Sequence, residues 1–166
     1  EVNMIQTSGL ASGSLFPIGT TINTYLATDA AGNTREASFN VTVVDNIDPL
    51  ITCPSDILNV PNDPGLCGAV VNYVAPVGTD NCLNPVTEQI AGLASGSLFP
   101  IGTTTNTFRV TDGSGNSTTC SFIVTVRDIE KPKITCPANI TENNDAGICG
   151  KVISYSPIIS DNCPNP

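Results

Sequence analysis

The side chains with chemistry to offer are seven cysteines, at positions 53, 67, 82, 120, 136, 149 and 163, and fifteen acids. Cysteine can hold zinc, act as a nucleophile or form disulfides. Zinc sites draw their cysteines in C-x-x-C pairs or combine them with histidine, and this chain has neither a C-x-x-C nor a histidine. Lack of histidine also removes the Ser-His-Asp and Cys-His arrangements that activate a nucleophile. Disulfides remain, and seven cysteines among 166 residues then imply an oxidising, extracellular or cell-surface setting. The acids stand singly at turns rather than paired in an apolar pocket, so acid–base catalysis has no evident pair. The chain is read as a non-enzyme with no catalytic residue.

Six basic residues against fifteen acids give a net charge of −9. Nucleic-acid binding needs clustered Lys and Arg against phosphate, which this balance does not supply. Two readings of the acids stay open: a solvated, self-repelling surface, or carboxylates that in places hold a hard cation such as calcium. No cofactor is required on either reading. No apolar run approaches the length of a membrane span, so this segment is not expected to insert. No signal peptide begins the chain, which for an exported protein suggests a piece internal to something longer.

The elements that must position these groups are strands. Val, Ile and Thr favour strands, while the 14 Gly and 13 Pro, with Asn and Asp, punctuate turns. In SFIVTV the alternation places Phe122, Val124 and Val126 on one face, with Cys120 of the same parity. The equivalent run ASFNVTV points Phe39, Val41 and Val43 inward. TNTFRVTD puts Phe108 and Val110 on one face, and Gly113-Ser114-Gly115-Asn116 then turns the chain into a hairpin. GAVVNYV, VTEQIAG and SGSLF supply further strands, FPIG a corner, and ITCPSDILNV a first strand that Pro54 interrupts or confines to an edge. The expected buried set is Phe99, Phe108, Val110, Phe122, Val124 and Val126. Six or seven short strands with regular turns predict a two-sheet sandwich.

The sequence repeats itself. GLASGSLFPIGTT starts at Gly9 and again at Gly92, an offset of 83 residues. The G-x-C-G at Gly65 recurs at Gly147, and Asp80-Asn81-Cys82 recurs as Asp161-Asn162-Cys163, at offsets of 82 and 81. Such a period is too long for a solenoid and suits small domains in tandem. The predicted division is 1–46, the back half of one unit; 47–128, a complete unit; and 129–166, the front half of a third.

I-T-C-P, G-x-C-G, D-N-C, F-P-I-G, T-D-G-S-G-N and C-S-F-I-V-T-V-x-D together cover nearly the whole chain. In combination they resemble the hyalin repeat (HYR) domain, and the near-identical copies are similar to tandem-repeat surface adhesins of Bacteroidota, including the gliding-motility type. The resemblance implies an all-β fold of immunoglobulin-like antiparallel β-sandwich repeats in tandem. Ala37 stands where Cys120 stands in the next copy, so the first unit is expected to lack one disulfide.

Four cysteines per unit allow three pairings. In an immunoglobulin-like sandwich the D-N-C loop and the start of the last strand share a pole, which predicts Cys82–Cys120. Cys53–Cys67 and Cys136–Cys149 then close short loops, with Cys163 unpaired by truncation. Cys53–Cys67 requires Pro54 to break the first strand, since in an unbroken hairpin the two would sit at opposite poles. The linkers VVDNIDP and VRDIEKP leave little slack, and the same topology gathers Asp45, Asp48, Asp80 and Asp112 at one pole as candidate calcium ligands. The competing reading is that these are polar turn residues. Sequons at Asn40, Asn116 and Asn139 carry little weight in an Asn/Thr-rich chain. The function expected is a stalk or fibre repeat of a long surface adhesin whose partners are neighbouring repeats of the same chain. The alternative is an adhesive module whose loops bind other surface proteins or glycans, against which stands the absence of any Trp to stack on a sugar.

Overall fold

The computed structural model describes residues 1–82 and 84–163, and among these every regular element is a strand. β1 (Asn3–Ser8), β2 (Gly19–Thr28) and β3 (Thr34–Val43) form one antiparallel sheet in that order. The middle of the chain holds β4 (Ile57–Pro61), β5 (Gly68–Val71), β6 (Val86–Ala91), β7 (Ser97–Pro100), β8 (Gly102–Thr111) and β9 (Ser117–Arg127). These make a four-stranded sheet of order β4-β9-β8-β6 and a two-stranded sheet of β5 and β7. β10 (Lys133–Thr135) and β11 (Ile158–Ser160) pair near the end.

The two middle sheets face each other across one core, which makes this part a sandwich. Ala69, Val71 and Phe99 on the small sheet meet Phe108, Val110, Phe122, Val124 and Val126 on the large one. The expected core set is buried throughout, and full burial of each such Val or Phe favours the folded state by roughly 1.5–3 kcal/mol. Tyr73 stands edge-on to Phe108 and Phe122, at ring-centroid distances of 6.3 and 5.0 Å, and its hydroxyl donates to the Leu93 carbonyl at 2.6 Å. An aromatic with a polar tip is thus half-buried against the core without an unmet hydrogen bond. In β3 the expectation fails for Phe39, which is 53% exposed, while Val41 and Val43 are half-buried. The alternation is the same as in β9, but among the described residues no counterpart of β4 and β5 covers that face.

One pairing departs from the antiparallel expectation. β4 runs parallel to β9, with Ile57 beside Val124 and Val60 beside Val126. Pro54 does interrupt the first strand, since regular pairing begins only at Ile57. Stepping four residues back along both partners brings Cys53 level with Cys120, and these two are bonded, Cα atoms 5.6 Å apart. This corrects both expected pairings, Cys53–Cys67 and Cys82–Cys120. Cys120 lies four residues along β9 from the Asp112–Asn116 turn, about 13 Å of extended chain. Cys82 sits at the level of that turn. Cys67 lies at the other pole, where the break at Pro54 does not bring it back to Cys53. It bonds instead to Cys163, 96 residues on, with Cα atoms 4.9 Å apart. Cys163 is therefore not unpaired, and Cys136 and Cys149, expected to bond each other, are free and exposed.

A second device is repeated in both copies. Asn106 is fully buried on β8, and its Oδ1 accepts from Leu93 N at 2.8 Å and from Gln89 Nε2 at 3.2 Å. Asn23 does the same for Leu10 N and Gln6 Nε2, at 2.9 and 3.1 Å. Each clamp closes over a register shift in the preceding strand, at Gln89/Ala91 and Gln6/Ser8. Gly92 sits against it at φ +87°, where a Cβ would fall 2.7 Å from the Thr105 carbonyl oxygen.

Candidate functional site

The candidate site is the pole where the linker after β3 meets the middle sandwich. Three segments build it: the linker at Asp45, the loop at Asp80 to Cys82, and the β8–β9 turn from Asp112 to Asn116. The turn is shaped by one carboxylate. Asp112 Oδ1 accepts from Ser114 N at 2.9 Å and Asn116 N at 2.8 Å, and Oδ2 accepts from Asn116 Nδ2 at 2.8 Å. Burial acts to raise the Asp112 pKa, but the hydrogen bonds from Asn116, Ser114 and Gly115 outweigh it and hold the group below its usual value. Asn116 Nδ2 also reaches the Asp45 carbonyl at 3.3 Å, tying the linker to the turn.

Asp45 is buried, at 8% exposure, and its Oδ1 accepts from Ile47 N at 3.1 Å. Asp80 Oδ2 accepts from Cys82 N at 2.7 Å. The other oxygen of each, Asp45 Oδ2 and Asp80 Oδ1, is buried and receives no N–H or O–H donor. Ligand atoms of Asp45, Asp80 and Cys82 all lie within 4.8 Å of one another. The Cys82 thiol feels this charge. Its pKa is pushed up to about 11, first by hydrogen bonding to the Asp45 carboxylate, then by burial and by the charges of Asp45, Asp80 and Asp112.

Of the four acids named from sequence, Asp45 and Asp80 are brought together with one oxygen each to spare. Asp112 is adjacent, but donors already fill both its oxygens, so it shapes the loop. Asp48 is exposed in the linker and outside the cluster. Cys82 was singled out for a disulfide and not for this pole, yet the repeated D-N-C triplet was the signal that placed it beside Asp80.

The next junction has the same plan. Asp128 Oδ1 accepts from Glu130 N at 3.0 Å and Asp161 Oδ1 from Cys163 N at 2.9 Å, and Asp128, Asp161 and Cys163 cluster as the first trio does. Contacts across this junction are dense. Glu130 takes Gly65 N at 2.9 Å, Asn62 Oδ1 takes Ile129 N at 3.0 Å, and Asn162 Nδ2 donates to the Leu66 carbonyl at 3.0 Å. Beside these lies the Cys67–Cys163 bond.

The pattern defining the HYR domain matches residues 1–43 and again 44–126. The chain belongs to the HYR domain family. This HYR chain is 38% identical over 154 residues to hyalin of the sea urchin Strongylocentrotus purpuratus, an alignment covering 88% of this chain and 13% of hyalin. It is 35% identical to hyalin of Lytechinus variegatus, over 90% of this chain and 29% of that protein. The serine-rich adhesin for platelets of Staphylococcus aureus is 32% identical over 66% of this chain and 9% of its own length. The chain thus spans a small fraction of the curated relatives it matches. The solved structure of protocadherin gamma B7 cadherin domains 1–4 overlays on 87% of this chain and 41% of its own, at TM-score 0.41 and 16% identity. With two disulfides and relatives of this kind, the HYR chain is extracellular or at the cell surface. Among the described residues no helix is long and apolar enough to cross a membrane.

Proposed function

We propose that these HYR units are spacer repeats of a long cell-surface adhesion protein, divided at 1–46, 47–128 and 129–166, which carry load from unit to unit. The observation behind this reading is that the linkers are not free chain. Asn116 fastens the Asp45 linker to the following sandwich, and Asn62 and Gly65 fasten the Glu130 linker to the preceding one. A Pro in each linker, Pro49 and Pro132, removes further freedom. Membership of a fibre of the gliding-motility adhesin type fits this role. Small-angle scattering of a multi-repeat chain should give a dimension that grows in proportion to repeat number. Growth as the square root, the behaviour of freely jointed beads, would sink the spacer. Specific capture of a single unit on a glycan or protein array would instead favour an adhesive module.

The junction acids belong to the same reading. Two carboxylate oxygens held together and buried with no N–H or O–H donor have lost their hydration, and a divalent, oxygen-seeking cation between Asp45 and Asp80 would replace it. Calcium suits the pair, since it accepts irregular oxygen sets including carbonyls and water. Cys82 is not the ligand on this account, because its counterpart Cys163 is spent in a disulfide. Calcium should raise the melting temperature and a chelator should reverse it, with about 2.7 kcal/mol of stabilisation at 100 times Kd. Asp80→Asn should abolish the response, and an undiminished response in that variant would remove the site.

A further inference from the structure

Cys82 and Cys149, both free here, stand in settings that repeat those of the bonded Cys163 and Cys67. Cys163 is bonded to Cys67, and Cys82 occupies a socket of the same construction as that of Cys163. In each, the cysteine N–H donates to the Asp two residues before it, at 2.9 Å for Asp161 and 2.7 Å for Asp80. In each, the intervening Asn turns its Nδ2 to the sulfur, at 3.4 Å for Asn162 and 3.2 Å for Asn81. Cys149 in turn sits in a hairpin built like that of Cys67. Asp63 N donates to Gly68 O at 2.8 Å and Asn62 Nδ2 to Leu66 O at 3.0 Å. Their counterparts are Asp145 N to Gly150 O at 3.0 Å and Asn144 Nδ2 to Ile148 O at 2.8 Å. Asn162 also donates to Leu66 O, so the socket recognises the hairpin next to the sulfur it bonds.

We propose that the G-x-C-G cysteine of each HYR unit is disulfide-bonded to the D-N-C cysteine of the unit that follows, so that Cys149 and Cys82 each take a further HYR unit as partner. This rests on the tandem-repeat reading but not on stiffness or on calcium. The partner unit comes either from the same polypeptide or from a second copy of the chain. Formation needs an oxidant, here a disulfide such as oxidised glutathione. The Cys149 thiolate attacks one glutathione sulfur and expels a glutathione thiolate. The sulfur of a partner's Cys82, after losing its proton, then attacks Cys149 and expels the second. Two thiols are oxidised and one glutathione disulfide becomes two glutathione thiols.

Such bonds change where tension runs. The covalent path enters a unit at Cys82, runs back to Cys67 and leaves from there, so only the 16 residues from Cys67 to Cys82 lie on it. Those residues extend to about 50 Å, against about 290 Å for a whole 82-residue repeat.

The test uses the 166-residue chain carrying Cys136→Ser, so that Cys82 and Cys149 are its free thiols. Incubated with oxidised glutathione, it should form a ladder of multiples on a non-reducing gel. Peptide mapping should join Cys149 of one molecule to Cys82 of another while Cys67–Cys163 stays intact. Adding Cys82→Ser should stop the ladder at dimers. In the full-length protein, mapping of the secreted material separates the sources: links between successive units place the bond within one polypeptide, and covalent multimers place it between copies. Failure to find Cys67–Cys163, persistence of Cys82 and Cys149 as thiols, or random pairing among the cysteines would overturn the proposal. Scattering that reports a flexible chain while the mapping holds would sink only the spacer.

Discussion

Asp112 illustrates how a single residue sets the junction. Its pKa is below the ordinary 3.8 because bonds from Asn116, Ser114 and Gly115 overcome the effect of burial. A carboxylate with a depressed folded pKa contributes stability above its unfolded pKa and loses it as pH falls through the folded one. Titration of the Asp112 carboxyl by NMR should therefore give a midpoint below 3.8, and stability should drop as the solution is acidified past that value. A midpoint at or above the ordinary value would mean that the turn does not hold the carboxylate. Gly92 gives a second test, because at φ +87° an alanine Cβ would press on Asn106 and on the Thr105 carbonyl. Gly92→Ala should destabilise the chain by about 1–3 kcal/mol in denaturant unfolding, whereas Gly115→Ala, at φ +96° with open space around it, suffers the backbone strain without the clash. At this scale the sequence was partly readable. Asp45 and Asp80 were found because Asp beside a linker and in a D-N-C triplet are polar groups at chain turns. Asn106 was missed because nothing in T-N-T distinguishes a buried amide that ties down a bulge from a solvated one.

Among the elements, the inward face of β9 was legible, though the strand runs from Ser117 to Arg127, beyond SFIVTV at both ends; alternation there makes one face apolar, and a sandwich buries that face. β4 was not. Its residues have strand character, but a local pattern contains no term for the direction of a partner 67 residues away. The parallel pairing follows from Pro54, which ends the first stretch and lets the chain cross to the far edge of the large sheet. The disulfide error descends from the same point: the expectation lets the break at Pro54 bring Cys53 to Cys67, whereas the parallel register beyond that break puts Cys53 level with Cys120. Because that bond closes a loop of 67 residues, the chain-entropy argument assigns it about 4 kcal/mol. The double variant Cys53→Ser/Cys120→Ser should lose roughly that much in chemical unfolding. It should leave Cys67–Cys163 intact by peptide mapping. A loss well under 1 kcal/mol would mean that β4 holds its place on β9 without the bond.

For the whole molecule, the feature no single unit could reveal is a bond from one unit to the next. Periodicity showed that units repeat, but a repeat read in isolation invites pairing its cysteines with each other. The four cysteines of one period instead divide into an internal pair and a pair that looks outward in both directions. The mechanical consequence can be read from this chain alone. Pulled from its ends with Cys67–Cys163 formed, the polypeptide carries tension through residues 1–67 and then crosses the bond, so the residues between these two cysteines, a sequence separation of 96, are shielded from force. Those residues correspond to about 340 Å of extended chain. Single-molecule stretching should therefore give a final contour length shorter by about that amount before reduction than after it. In a Cys53→Ser/Cys120→Ser background, which removes the overlapping internal loop, reductant added under tension should release the hidden length in one step. In that background Cys163→Ser should show the long contour from the start and Cys136→Ser the short one. Equal contour lengths before and after reduction in that background would show that the units are joined by the backbone alone, and that force applied to the surface protein can unravel its repeats one by one.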